Sequence, residues 1–328
     1  MFNQKQNQEI ITEQYTFLLQ NLSDLIISYL FQGKLHQAHQ LLEKGMQLIK
    51  EETGVSPQSR SSFLLHAGIL QAKSIIYLGH KAATALATLS RARELAETID
   101  DEKLLINIID WTGQALYFQA LNTHEDEADF QTSLQHFNDA LDRRQQSNDA
   151  WGICESIFNI GRVHQNSGDN SQAYTHFAKA LEIAEVQNHQ ILMAEILLHL
   201  GVCIQEMGKL EEARSSLMLG MTMREELNIR VDLPFTYMNM GDLEQVMTNM
   251  EQAELYYRKA AMLAQEMELP IPYIFALLSI GYLHLAREQP TRALASFETA
   301  RHMATRHSVS YVLAVTSIAQ TEARTRIS

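Results

Sequence analysis

The sequence predicts an all-α protein, an α-solenoid of about seven helical hairpins with a lone closing helix. Three observations predict it. The 328 residues include only 14 glycines and 5 prolines, too few breakers for a turn-rich β fold. A fixed set of small and large residues recurs every 40 residues through the C-terminal half. One hairpin cannot bury its own apolar face, so a repeat of this kind has to stack on its neighbours.

The repeat is clearest from residue 150 onward. Gly161, Gly201, Gly241 and Gly281 are spaced by 40. Twelve residues after each stands Ala173, Ala213, Ala253 or Ala293. Four further on comes Phe177, Leu217, Tyr257 or Phe297, and three more bring Ala180, Gly220, Ala260 or Ala300. The small residues let two antiparallel helices approach closely, and the large ones a turn away fill the space between them. Short polar links (GDNSQ, GKLEE, TNMEQ, EQPTR) join the two helices of a hairpin. Between hairpins, Asn188, Asn228, Glu268 and Ser308 keep one phase. Asn tolerates the left-handed conformation that ends a helix, and Ser is expected to cap the next one. Pro234, Pro270 and Pro272 fall near helix starts, where a missing N–H costs little.

The phase also runs backwards. Phe137 and Ala140 continue it, but their partner Gly113 lies 48 residues before Gly161. The surplus of eight is assigned to THEDEADF (123–130), read as an acidic extension of a hairpin turn with a solvated run at 124–127. Ala85, Leu89 and Ala92 mark the preceding second helix, whose first helix carries Lys73 where glycine is expected. Ala38, Leu42 and Gly45 mark the first hairpin, and GVSPQSR (54–60) is read as a loop. The expected organisation is a flexible terminus over 1–9, then hairpins over about 10–53, 59–100, 101–148, 150–188, 190–228, 231–268 and 270–308. A capping helix follows over 309–328, with Thr316, Gln320 and Arg324 on its wet outer face.

Composition narrows the function. A formal charge of −13 without a Lys/Arg run disfavours nucleic acid. The start MFNQKQNQEI lacks an apolar segment, and no run of about 18 apolar residues occurs, so no membrane partner and a cytoplasmic location are expected. Cys154 and Cys203 form no disulfide framework and read as small buried hydrophobes. No phosphate loop, dinucleotide glycine motif or nucleophile elbow occurs, so neither enzyme activity nor a cofactor is expected. His36 and His39 have chelating spacing, but no metal is expected. His164 and His284 are read as packing between helices. The methionines between Met218 and Met250 are core filler or an adaptable surface.

Ile160-Gly161, Ala173, Phe177 and Ala180 resemble the tetratricopeptide repeat (TPR) family, and the likeness runs over roughly residues 10–328. The usual repeat has 34 residues. The 40-residue form, with Asn159-Ile160-Gly161 and Asn239-Met240-Gly241, is similar to the long repeats of kinesin light chains and of the sensor domains of maltose-activator-like bacterial regulators. The resemblance implies a right-handed superhelix whose first helices line a concave groove. It places Glu155, Phe158, Asn159, Arg162 and Gln165 of the fourth hairpin on that groove. Glu195, Leu198, His199 and Gln205 follow in the fifth. Phe235, Met238, Asn239, Asp242 and Gln245 follow in the sixth, and Phe275 and Tyr282 in the seventh. The amides either hold an extended peptide backbone or solvate a helix face. The aromatics either anchor a partner or pack between hairpins. The groove is expected to grade from polar and mixed-charge to apolar. The Lys–Asn clamp of the chaperone-binding subclass is not matched, since Phe158 and Arg162 stand there. A fold of this kind hosts many functions. The expected one is a scaffold or adaptor that holds a peptide or protein in the groove. The alternative is a regulatory sensor acting in trans, and an exposed solenoid end leaves homo-oligomers open.

Overall fold

The computed structural model describes residues 2–52, 54–123 and 127–327. Fifteen α-helices account for most of them, and no strand occurs among the described residues. Seven hairpins follow one another: α1 (Phe2–Phe31) with α2 (Leu35–Glu51), α3 (Pro57–Leu78) with α4 (Ala82–Thr98), α5 (Glu102–Thr123) with α6 (Glu127–Gln146), α7 (Ala150–Asn166) with α8 (Asn170–Val186), α9 (Gln190–Glu206) with α10 (Leu210–Glu226), α11 (Leu233–Val246) with α12 (Met250–Glu266), and α13 (Pro270–Ala286) with α14 (Pro290–Arg306). A single helix, α15 (Ser310–Thr325), ends the stack. Each odd-numbered helix also packs on the odd-numbered helices before and after it. The odd helices therefore line the inside of an α-solenoid and the even helices its outside.

The 40-residue pattern is the packing code of this stack. A Cβ on Gly161 would lie 2.7 Å from the Phe177 ring, and Gly201, Gly241 and Gly281 meet Leu217, Tyr257 and Phe297 just as closely. The alanines at 173, 180, 213, 253, 260, 293 and 300 are fully buried. Asn188, Asn228, Glu268 and Ser308 all turn with φ between 52° and 56°. Ser308 is thus the left-handed residue and not the cap expected of it; Val309 precedes α15 without a side-chain cap.

Four expectations are corrected. First, α1 reaches back to Phe2, into the segment 1–9 expected to be flexible; its Gln, Lys and Glu residues are good helix formers and no breaker interrupts them. Second, Pro57 opens α3 with Ser56 as N-cap, so the loop is shorter than 54–60. Third, the surplus of eight is not a long turn. α5 has 22 residues and α6 has 20 against the usual 17, and only three residues separate them. Of the acidic run itself, 124–126 lie outside the described residues. Fourth, Thr316 and Gln320 are buried against the last hairpin, where Gln320 accepts from Arg301 at 3.1 Å; the outer face instead carries Ser317, Thr321 and Arg324.

The superhelix also closes on itself. The Val231 N–H donates to the Phe31 carbonyl at 3.0 Å, α3 packs on α13, and the Tyr77 hydroxyl donates to the Asp232 carboxylate. Tyr77 and Phe235 pack at 6.2 Å between ring centres, and the Gly79 turn rests on Val309 and Ile271. No helix among the described residues is long and apolar enough to cross a membrane.

Candidate functional site

Closure turns part of the concave groove into a cavity of about 310 Å³, walled by α1, α3, α5, α7, α9, the end of α10 and the link before α11. Ile27, Leu30 and Phe31 of α1, Ile69 of α3 and Trp111 of α5 form its apolar side, facing Phe158 and Leu192. Six charged side chains reach it: Lys73, Arg162 and Arg224 against Glu155, Glu195 and Asp232.

Buried polar contacts hold four of these charges, Glu155, Arg162, Arg224 and Asp232, in place. Arg144, at the end of α6, is 1% exposed. It donates to Asp110 at 3.1 Å, to the Gly152 carbonyl at 2.9 Å, to Ser156 at 2.8 Å and to Glu155 at 3.1 Å. Asn159 donates to the same Asp110 and accepts from Arg162 at 3.3 Å. The Arg162 guanidinium lies 4.3 Å from the Tyr117 ring centre and 5.6 Å from that of Phe158, a cation on aromatic faces. Arg224 repeats the Arg144 device 80 residues later, donating to Thr236 at 2.8 Å and to the Asp232 carbonyl at 3.4 Å.

The ionisation of these groups follows from burial and neighbours. Burial pushes the Glu155 carboxyl up to about 7 although Arg144 pulls the other way, and Asp110, Asp149 and Glu195 add to the rise. Burial acts to raise Asp232 too, but Lys73, Arg224 and the Tyr77 hydrogen bond outweigh it and hold the carboxyl below its usual value. Burial, then Arg162, Arg224 and Lys73, keep His199 well below an ordinary histidine, so it is neutral. Burial likewise lifts the thiols of Cys154 and Cys203 to about 12 and about 11.

Of the residues the sequence places on the groove, the cavity gathers Glu155, Phe158, Asn159 and Arg162, with Glu195 beside them. The rest lie elsewhere along the inner surface. Gln165 is engaged by the next hairpin: it donates to the His199 carbonyl at 3.2 Å, and its oxygen lies 2.7 Å from His199 Nδ1. Gln245 and Asp242 both accept from Tyr257. Gln205 and Asn239 are half-buried, and Leu198 and Met238 are core. Phe235 packs in the closure seam, Phe275 between the last hairpins, and Tyr282 edge-on to Phe297. The cavity itself lies at the mixed-charge hairpins four and five, where closure sets the apolar face of α1 opposite the charged face of α7. Lys73, Trp111, Arg224 and Asp232 escape sequence reasoning, since they meet only through closure. A larger hollow of about 740 Å³ outside the ring, near His36, His39 and His80, contains none of the predicted residues.

No curated protein matches the sequence. Residues 152–226 match the tetratricopeptide repeat family. Among solved structures, the chain is similar to a Rap protein complexed with competence and sporulation factor: 13% identity, TM-score 0.66, covering 94% of this chain and 87% of that one. NprR in complex with its cognate peptide NprX gives 12% identity and a TM-score of 0.62, covering 93% and 84%. A tetratricopeptide repeat protein from Parabacteroides merdae gives 17% and 0.50, covering 91% and 98%. The chain is thus an α-solenoid of consecutive TPR-like helical hairpins, two of which, over residues 152–226, match the tetratricopeptide repeat family.

Proposed function

We propose that the protein is a non-catalytic adaptor that holds a peptide segment inside the closed superhelix. The observation that carries this is the cavity, where an apolar wall faces fixed charges and amides. At about 310 Å³ it falls at the lower end of the roughly 300–1,000 Å³ of small-ligand sites, so it suits a few residues of a peptide and not a folded partner. Of the similar solved structures, one is complexed with competence and sporulation factor and another with its cognate peptide, NprX, which supports the same reading. The test is native mass spectrometry of the protein after incubation with a peptide extract of its own cells. Wild type retains a discrete set of small peptides, and Ile69→Trp, which fills the cavity, loses them. Equal retention by both proteins would place binding outside the cavity.

A second reading is a regulatory sensor acting in trans. It is favoured by the cavity walls coming from both sides of the closure seam, α1 and α3 on one side and the link before α11 on the other. An occupant touching both sides binds the closed form better than an open one, and that difference is what shifts a conformational equilibrium.

A further inference from the structure

The geometry points to the identity of the occupant: a zwitterionic peptide of about three residues, read by its charged ends. The inference rests on the cavity being a peptide site. Glu155 and Arg162 both line the cavity from α7, seven residues and two turns apart. At about 1.5 Å per residue that separates them by roughly 10 Å along the axis. An extended peptide advances at most about 3.3–3.6 Å per residue, so three residues span the gap.

Each end keeps unused capacity. Arg162 is 7% exposed, its Nε has no partner, and it forms no ion pair among the described residues. Its hydrogen bonds to side chains go to uncharged partners, Asn159 at 3.3 Å and the Tyr117 hydroxyl. Lys73, from α3, likewise has no carboxylate within ion-pair distance among the described residues, although it acts on Asp232 from further away; its Nζ lies 5.7 Å from the Phe118 ring centre. A buried guanidinium left with an idle N–H is costly unless an acceptor arrives, and a peptide carboxylate is such an acceptor. At the other end, Glu155 uses Oε2 on Arg144, while its Oε1 stands 4.0 Å from His189. Glu195, from α9, has no described hydrogen bond or ion pair and lies close enough to raise the Glu155 carboxyl further. A ligand ammonium between the two carboxylates relieves their repulsion. Ile27, Leu30 and Trp111 leave the middle residue an apolar wall.

The experiment uses an equimolar pool of tripeptides with free ends, the same pool N-acetylated, the same pool C-amidated, and inorganic phosphate. Binding is followed by the fluorescence of Trp111 in a Trp151→Phe background, where it is the sole indole of the chain. The free-ended pool is expected to bind at least tenfold more tightly than either blocked pool. Glu195→Gln, which breaks no described contact, removes the preference for a free N-terminus. Arg162→Gln removes the preference for a free carboxylate. Lys73→Gln repeats the second arm should Arg162→Gln fail to melt cooperatively. Equal binding of free and blocked pools overturns the end-reading while leaving the peptide site intact. Phosphate binding as tightly as the free-ended pool overturns it in favour of a plain anion site, and preferences unchanged in the variants overturn the residue assignment. No response to any pool overturns both this inference and the peptide reading beneath it.

Discussion

Arg144 is the largest side chain that the fold hides completely among the described residues, and the network around it shows how the site is held. Its Asp110 partner is 1% exposed. Removing one member of such a pair strands the other charge and costs about 3–5 kcal/mol. Arg144→Ala is therefore expected to lower unfolding stability by about that much in urea, and Arg144→Met with Asp110→Leu to recover most of it, since the two positions are coupled. Independent, additive losses would show that the pair is not the unit. Glu155 makes a separate, pH-dependent contribution. Its carboxyl is raised to about 7, above the roughly 4.3 of a free glutamate. The stability it contributes is complete below about pH 4 and falls as the pH rises through 7. Urea midpoints at pH 5 and pH 8 should show wild type losing ground to Glu155→Gln at the higher pH. A constant difference between the two proteins would contradict the raised value.

The same logic at the level of helices explains what was legible in the sequence and what was not. From Gly161 onward each glycine and its large partner are 16 residues apart, so spacing alone finds the contact. In the second hairpin Gly68, not the position of Lys73, receives Leu89, and the two are 21 apart because α3 has 22 residues. Lengthened helices shift the phase without breaking the packing, and a fixed-period reading mistakes the shift for a missing glycine. Gly68→Ala is then expected to destabilise by about 1–3 kcal/mol, as overpacking does, because its Cβ would lie 2.5 Å from the buried Leu89. Lys73 acts on stability through the Asp232 carboxyl that it holds down and not through this contact, so Gly68→Ala alone tests the packing, and an unchanged thermal midpoint there would restore the simple 40-residue register. The polar devices were harder to read. Arg144 and Arg224 occupy the phase of Ala184, Ala264 and Ala304. They are long side chains where small ones recur, and only the structure shows them reaching Ser156 and Thr236 across the next hairpin junction.

For the whole molecule the decisive feature is closure, which no local period encodes. Residues 155 chain positions apart, Tyr77 and Asp232, meet there with Phe235 packed beside them. The local repeat does not by itself force these elements together, so the seam rests on the contacts made across it. Its polar part comprises the Tyr77 hydrogen bond to a buried carboxylate, worth about 1.5–3 kcal/mol, and the Val231–Phe31 backbone bond; its apolar part is the packing of Tyr77, Phe235 and the Gly79 turn. Tyr77→Phe removes the first and Phe235→Ala the second. Each hairpin keeps its own neighbours in these variants, so helix content should hold while the ends part. The expected result for Tyr77→Phe with Phe235→Ala is an unchanged helical circular-dichroism signal and a larger radius of gyration in X-ray scattering. Peptide affinity should fall in step, because an open ring separates α1 from the wall formed by α7 and α9. A variant as compact as wild type would mean that the backbone bond from Val231 to Phe31 and the α3–α13 contact suffice to hold the ring. A variant that opens yet binds peptide as before would detach the site from closure and remove the basis of the sensor reading.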